Sequence, residues 1–282
     1  MQLTPEFCGR EYNNRALVPN FAEIFARWTD SSQAVRRRHA GLYDLAYGEQ
    51  SAERLDLFPC PRNGAPLFVF FHGGYWRSLD KSDFSYIAPA LVADGISVAV
   101  PNYDLAPKVT IDEIVMQSIS SVAWLYRNAE RYGFERERIF VGGHSAGGHL
   151  TAMLMCVQWQ SVGADLPADL VKGGVAVSGL YDLEPIMLAE FLNVDLKLDA
   201  ARARKLSPAF MQPASRAPVI TAVGGDESSE FKRQNSMIAQ RWPENFRADV
   251  PMPGFNHMTV CEQLANPGSP LFDATVELCR HG

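Results

Sequence analysis

The fold of this chain is decided by one stretch, Arg138-Ile139-Phe140-Val141-Gly142-Gly143-His144-Ser145-Ala146-Gly147-Gly148. Its first part is an apolar run typical of a buried strand, and a helix is predicted directly after Ser145, over residues 146–157. Gly143, Ser145 and Gly147 form a G-x-S-x-G pattern between the two elements. In this context the pattern indicates a nucleophile elbow, a sharp turn that exposes the serine hydroxyl. The sequence therefore predicts Ser145 as a nucleophile.

The same glycines are compatible with two other interpretations. Gly143 and Gly148 have the G-x-x-x-x-G spacing of a phosphate-binding loop, but His149 follows where such a loop has Lys and then Ser or Thr. A glycine-rich packing turn with an incidental serine is the structural alternative.

Short apolar runs recur along the chain, and most are followed by a stretch with helical periodicity. The predicted strands are 67–71, 96–100, 139–141, 175–177, 219–223 and 246–250, and the predicted helices are 81–93, 111–125, 146–157, 229–242 and 269–280. Two earlier runs, 42–47 and 54–58, lack an intervening helix and predict an antiparallel hairpin at the sheet edge. We therefore expect an α/β-hydrolase fold, with a mostly parallel eight-stranded sheet and helices on both faces.

The domain organisation follows from the same alternation. The 282 residues contain no repeat, low-complexity tract or long linker, so residues 1–282 are expected to form a single α/β-hydrolase domain. Residues 183–218 interrupt the alternation with helical pieces at 186–192 and 199–206. We expect them to form a small helical cap over the site, which in open sheets lies at the carboxyl ends of the strands.

Charge and composition limit the partners. The formal net charge of −6 gives no general attraction to nucleic acid or to anionic membranes. The basic run Arg36, Arg37 and Arg38 is expected to be a solvated surface stretch. The expected partner is a small-molecule substrate, with neither nucleic acid nor membrane, and a homodimer is left open.

The cysteines and the start of the chain bear on the compartment. The five cysteines are scattered, odd in number and never spaced as C-x-x-C, so neither a disulfide framework nor a zinc site is indicated. The chain start lacks a secretory pattern, and no apolar run approaches the ~18 residues that a membrane span needs. We expect a cytoplasmic protein without cofactor or metal; His144 and His149 beside the serine match no zinc pattern.

A second glycine motif, Phe71-His72-Gly73-Gly74-Tyr75-Trp76, follows the first predicted parallel strand. At this position the fold supplies backbone N–H donors to an oxyanion hole. The predicted donors are Gly73, Gly74 and, after the nucleophile, Ala146. His72 is expected to be a structural hydrogen-bonding residue, and a glycine-rich turn with buried aromatic residues is the alternative for the whole motif.

The acid of a catalytic triad must follow the nucleophile in this fold. Asp226 lies in a glycine-led loop directly after the strand 219–223 and is the predicted acid. Glu227 is adjacent but is expected on the other side of the turn. Asp182, after the preceding strand, is the rival and is more typical of a loop-capping residue.

The base must follow the acid, and only His257 and His281 lie beyond Asp226. His281 is the penultimate residue, where chains fray. His257 follows the strand 246–250 and is the predicted base; an exposed loop histidine without a role is its alternative. These residues predict acyl transfer to Ser145, with proton removal by the histidine.

The motifs His72-Gly73-Gly74-Tyr75-Trp76 and Gly143-His144-Ser145-Ala146-Gly147-Gly148-His149 resemble those of the kynurenine formamidase (arylformamidase) family, related to hormone-sensitive-lipase-like esterases. Residues 11–15, 178–185 and 206–208 are similar to this family too. The resemblance implies hydrolysis of an aryl formamide such as N-formylkynurenine, with family triad positions on Ser145, Asp226 and His257. It departs after the histidine, where family members often have Phe and this chain has Met258.

Three aromatic residues are the expected substrate contacts: Tyr75, Trp76 and Tyr181. The first two offer flat surface beside the predicted oxyanion hole, with core packing as the alternative. A carboxylesterase for short-acyl or aryl esters would use the same triad and is the second hypothesis. A noncatalytic ligand-binding protein on this fold is the third.

Overall fold

The computed structural model describes residues 3–281, which build one sheet in the strand order β1-β2-β4-β3-β5-β6-β7-β8. The strands are β1 (Leu42–Ala46), β2 (Arg54–Phe58), β3 (Ala65–Phe71), β4 (Ser97–Pro101), β5 (Phe134–His144), β6 (Val171–Val177), β7 (Val219–Gly224) and β8 (Phe246–Met252). Strand β2 runs antiparallel to both of its neighbours, and the pairs from β4 to β8 are parallel. The predicted α/β-hydrolase fold, including its antiparallel edge hairpin, is confirmed.

The helices in the described residues alternate with the strands after β3. They are α1 (Pro5–Glu11), α2 (Asn14–Leu17), α3 (Phe21–Arg38), α4 (Ala88–Ala93), α5 (Ile111–Tyr132), α6 (Ala146–Met155), α7 (Trp159–Val162), α8 (Glu184–Leu188), α9 (Glu190–Leu196), α10 (Ala200–Lys205), α11 (Ser229–Arg241), α12 (Thr259–Glu262) and α13 (Pro270–His281). Three 3₁₀ segments add Lys81–Ile87, Pro208–Phe210 and Gln263–Ala265. No helix within residues 3–281 is both long and apolar enough to cross a membrane.

Strand β3 shows how the sheet is buried on both faces. Every residue of Ala65–Phe71 is buried. Successive side chains of a strand point to opposite faces, and Val69 lies in one apolar cluster while Phe68 and Phe70 lie in the other. The run is therefore continuously apolar, as is typical of a strand covered on both sides.

The N-terminal helices α1 to α3 lie outside the predicted elements. The last turn of α3 holds the basic run, and Arg36 there forms an ion pair with the buried Asp56 of β2. Lys81 Nζ lies 2.7 Å from the same carboxylate. The expectation of a solvated stretch is thus wrong for Arg36 and holds for Arg37 and Arg38, which are exposed. The buried carboxylate joins α3 to the sheet and to the segment that follows the second glycine motif.

The segment between β6 and β7 contains three short helices, α8, α9 and α10, near the predicted helical pieces. Arg77, just after the second glycine motif, donates from Nη1 to the carbonyl of Phe191 in α9 at 2.7 Å. This contact places α9 at the edge of the pocket described below. The description of residues 183–218 as a cap within a single domain stays a prediction.

Candidate active site

Ser145 occupies the turn between β5 and α6, at the carboxyl end of the central sheet. Its backbone has φ 59° and ψ −116°, a strained conformation for a residue with a side chain. Close packing of the turn requires glycine at 147, because a Cβ there would lie 1.9 Å from the carbonyl oxygen of Phe71. The chain therefore reverses sharply after the strand and holds the serine hydroxyl at the end of the sheet.

His257 lies against this hydroxyl. The distance from His257 Nε2 to Ser145 Oγ is 3.0 Å, which is within hydrogen-bonding range. Both side chains are buried, with 4% and 2% of their residue surfaces exposed. The loop after β8 thus brings the predicted base to the predicted nucleophile.

The acidic partner of His257 is Glu227 and not Asp226. Glu227 Oε2 lies 2.6 Å from His257 Nδ1, and the carboxylate side chain is fully buried. Asp226 is exposed, and its backbone N–H donates to the carbonyl of Phe255 at 3.0 Å. The prediction that Asp226 contacts the histidine is therefore corrected: the loop after β7 turns its second carboxylate inward.

The buried carboxylate of Glu227 is held at both oxygens. Oε1 accepts hydrogen bonds from the Gly224 amide at 2.7 Å and from the Ser178 hydroxyl at 2.5 Å, while Oε2 faces the histidine. A buried carboxylate with these donors is satisfied without an ion pair to Arg or Lys. Asp182, the rival acid, instead accepts from its own loop, at the amide of Glu184.

The second glycine motif lies beside the serine. A Cβ on Gly73 would meet Ser145 Cβ at 3.2 Å, so this loop passes directly over the nucleophile. Gly74 has φ +104°, which favours glycine. The amides of Gly73, Gly74 and Ala146 donate to no acceptor among residues 3–281. The three predicted oxyanion donors are thus unpaired near the serine.

His72 supports this loop by a hydrogen bond and by ring stacking. Its Nδ1 lies 2.8 Å from the Gly73 carbonyl oxygen, and its ring stacks on Tyr103 with centroids 4.2 Å apart. The Tyr103 hydroxyl donates to the His72 carbonyl at 2.7 Å. These contacts agree with the expected structural role of His72.

His144, directly before the nucleophile, is a neutral imidazole. Its Nε2 lies 2.7 Å from the carbonyl oxygen of His257, which can only accept, so the proton is on Nε2. Burial, and then repulsion from a charged His257, lower the pKa of His144 well below the ordinary value. His144 therefore fixes the backbone that carries the base, and it adds no positive charge there.

A cavity of about 270 Å³ opens onto Ser145 and His257. Its walls combine aromatic and apolar side chains with polar ones. The lining residues are Tyr12, Asn13, Asn14, Arg15, Phe25, Trp28, Gly74, Tyr75, Arg77, Ser78, Leu79, His144, Ser145, Phe191, His257 and Met258. The volume is near the lower end of ligand pockets and is suited to a small substrate.

The structure separates the three predicted substrate contacts. Tyr75 lines the cavity, but Trp76 and Tyr181 are fully buried and do not line it within the described residues. Trp76 packs edge-on against His149, with ring centroids 5.0 Å apart, and the Tyr181 ring packs against Gly179. The prediction is therefore wrong for Trp76 and Tyr181, whose size is used for core packing.

Part of the pocket comes from residues that sequence reasoning did not assign to the site. They lie in the N-terminal helical region: Tyr12, Asn13, Asn14, Arg15, Phe25 and Trp28. The sequence signal for this region is the motif at 11–15, which resembles the family and by itself indicates no role. Among residues 3–281, no group of three or more His, Cys, Asp or Glu side chains could hold a metal ion, and all five cysteines are free and buried.

Comparison with known proteins identifies relatives of this chain. The family model BD-FAE matches residues 55–179. Kynurenine formamidase from Salmo salar is 32% identical over 80% of this chain and 77% of its own, and that from Drosophila melanogaster is 28% identical over 93% and 89%. A solved structure from Silicibacter sp. TM1040 is 31% identical, covers 99% of both chains and superposes with a TM-score of 0.84.

These similarities extend well beyond the two glycine motifs, since they cover both the N-terminal region and the loops after β7 and β8. They agree with a sheet whose carboxyl end brings a serine, a histidine and a carboxylate into one hydrogen-bonded row. The chain belongs to the kynurenine formamidase family of α/β hydrolases and is a hydrolase of ester or amide bonds.

Proposed function

We propose that this protein is a serine hydrolase that cleaves an aryl formamide, such as N-formylkynurenine, through a formyl-enzyme on Ser145. The observation that carries the proposal is the row Ser145 Oγ, His257 and Glu227, with separations of 3.0 Å and 2.6 Å. A serine hydroxyl is a weak nucleophile until a neighbouring base can take its proton. The named relatives supply the substrate class.

In the first half-reaction, Ser145 Oγ attacks the formyl carbon as its proton moves to His257 Nε2. Glu227 holds the imidazole by Nδ1 and stabilises the imidazolium that forms. The carbonyl oxygen becomes an oxyanion, for which the amides of Gly73, Gly74 and Ala146 are available donors; loss of one such donor typically costs about 3 kcal/mol.

The C–N bond then breaks as His257 gives its proton to the leaving aryl amine. This leaves a formyl ester on Ser145. In the second half-reaction water attacks that ester, His257 takes the water proton, and formate leaves as the serine is reprotonated. The neutral His144 suits this sequence because a permanent positive charge beside His257 would oppose formation of the imidazolium.

A hydrolysis assay with purified enzyme tests the proposal. We expect N-formylkynurenine to release formate and the free amine, with kcat reduced by about 10⁵-fold in Ser145→Ala. Labelling by a fluorophosphonate probe should occur in the native protein and be absent from the variant. A folded native enzyme that is not labelled would support a noncatalytic ligand-binding role.

Ester hydrolysis is the second candidate function, because the same row of residues can attack esters and other relatives of this chain are named as esterases. Comparison of N-formylkynurenine with p-nitrophenyl acetate separates the two. A kcat/KM at least ~100-fold lower on the formamide would identify an esterase. The cytoplasmic location and the absence of nucleic-acid and membrane partners stay predictions.

A further inference from the structure

We propose that Arg15 is a specificity-determining residue, which binds a carboxylate that the substrate carries away from the scissile bond. This inference rests on the proposed function for the reaction but concerns a different part of the pocket. Arg15 lines the same cavity as Ser145, yet the serine is buried and Arg15 is exposed. A substrate whose acyl carbon reaches the serine would therefore have its far end towards Arg15.

The segment that carries Arg15, residues 11–15, is hydrogen-bonded to the second glycine motif. The Tyr75 hydroxyl donates to the carbonyl of Tyr12 at 2.7 Å, and Asn14 Nδ2 lies 3.2 Å from the same hydroxyl oxygen. Tyr12 and Asn14 are buried. The backbone on the N-terminal side of Arg15 is thus held beside the loop that passes over the nucleophile.

The same segment is also hydrogen-bonded to α11, the helix that follows the loop after β7. Glu11 Oε2 accepts from the amide of Ser229 at 3.1 Å and from its hydroxyl at 2.7 Å. The Tyr12 hydroxyl donates to Glu230 Oε2 at 2.9 Å. Residues 12–15 are therefore a preorganised wall of the pocket, which reduces the entropy lost when a ligand binds there.

The charge of Arg15 is unpaired in the part of the chain that the structure describes. No carboxylate of residues 3–281 lies within 4.0 Å of its guanidinium, whose Cζ lies 5.4 Å from the ring centroid of Phe21. The other arginine of the pocket, Arg77, pairs with Asp195 at 2.6 Å. Arg15 is thus the pocket arginine whose donors are available to a ligand.

The pocket lining adds no competing charge. None of its residues in the described chain is acidic, although the protein as a whole carries a formal charge of −6. A guanidinium offers planar paired donors that match a carboxylate, whereas a neutral substrate end gains little from it. The unpaired guanidinium of Arg15 therefore favours an anionic ligand end over its neutral analogue.

The test uses two aryl formamides that differ only in charge: 3-(2-formamidophenyl)propanoate and 3-(2-formamidophenyl)propanamide. In Arg15→Gln we expect kcat/KM on the propanoate to fall about 10-fold or more, and kcat/KM on the propanamide to stay within about 2-fold. Arg15→Lys should recover part of the loss, and the preference for the propanoate should shrink at high ionic strength. Arg37→Gln, at an exposed position of α3, is the control for the same change in net charge.

Equal losses on both formamides, or an unchanged ratio of the two rates in Arg15→Gln, would overturn the role of Arg15. The same charged and neutral pair is also assayed with a formate ester in place of the formamide. If the native enzyme cleaves the esters but neither formamide, the proposed function fails while the ratio of the two esters still decides the role of Arg15.

Discussion

The turn after β5 and the loop after β7 both deliver a side chain to His257, but they differ in how tightly the chain is constrained. At the first, Ser145 has φ 59°, and a methyl group at Gly147 would collide with the backbone of Phe71 at 1.9 Å. At the second, the strand end is also tight, since a Cβ on Gly224 would lie 2.2 Å from the carbonyl oxygen of Phe255. Beyond it the packing is looser, because a Cβ on Gly225 would first meet Pro253 Cα at 3.0 Å, and Gly225 itself is exposed.

This difference explains why a motif identifies one residue and leaves the other ambiguous. Steric exclusion at the turn leaves a single position from which a hydroxyl can reach the histidine. In the loop, two consecutive carboxylates precede α11, and their spacing along the chain does not decide which of them is inside. That choice is made by donors from elsewhere, namely the Gly224 amide and the Ser178 hydroxyl.

The largest expected effect distinguishes the two carboxylates of the loop after β7, Asp226 and Glu227, as partners of His257. Glu227→Gln should lower kcat by about 10³- to 10⁴-fold, because the amide cannot stabilise the imidazolium and favours the wrong histidine tautomer. Asp226→Asn, the same change one residue earlier, should alter kcat by less than about 3-fold because Asp226 is exposed. Steady-state kinetics on an aryl formamide or ester measure both.

The opposite order of losses in this pair would restore Asp226 as the acid. Circular dichroism of both variants checks that the fold is retained. Because Glu227 is buried, a thermal melt should accompany the kinetics, so that a loss of stability is not taken for a loss of catalysis.

The fold and half of the candidate site follow from local sequence patterns. Continuous apolar runs such as β3 are typical of strands covered on both faces, and the strained turn at Ser145 is encoded within a few residues. Other features depend on distant partners instead. The inward carboxylate of Glu227 needs Ser178, 49 residues earlier.

The prediction of aromatic substrate contacts is wrong at Trp76 and Tyr181 for a related reason. Tyr75, Trp76 and Tyr181 carry the same chemical signal in the sequence, yet only Tyr75 reaches the cavity. Consecutive side chains leave a loop in different directions, and both Tyr75 and Trp76 have positive φ. Which of them faces the substrate depends on the backbone path.

The N-terminal wall of the pocket, residues 12–15, depends on contacts between distant parts of the chain, such as that of Tyr12 with Glu230, and no local pattern encodes them.

The second prediction compares how tightly the backbone is packed at Gly147, in the turn after β5, and at Gly225, in the loop after β7. Gly147→Ala should destabilise the protein by about 3 kcal/mol, because the added methyl group must displace backbone. Gly225→Ala should cost less than about 1 kcal/mol, since a small shift of Pro253 accommodates it. Urea unfolding of both variants gives the two free energies. Similar values would show that the loop after β7 is as constrained at Gly225 as the turn after β5 is at Gly147.

The smallest expected effect concerns His149, which follows the turn in α6. It is fully buried and donates from Nε2 to the carbonyl of Leu206 at 2.8 Å, and burial lowers its pKa to about 4. The unfolded chain, with a histidine pKa near 6.5, then binds more protons between about pH 4 and 6.5. This contribution to stability is therefore complete above pH ~6.5 and is lost as the pH falls towards 4.

His149→Gln isolates this contribution, because the glutamine amide can still donate to Leu206 while it cannot be protonated. Between pH 7.5 and 5, the free energy of unfolding of the native protein should fall by about 2 kcal/mol more than that of the variant. Urea unfolding at the two pH values measures the difference. An identical fall in both proteins would mean that His149 becomes protonated in the folded state near its ordinary pKa. The turn after β5 would then tolerate a buried charge, and the contrast between the two regions would be one of steric packing alone.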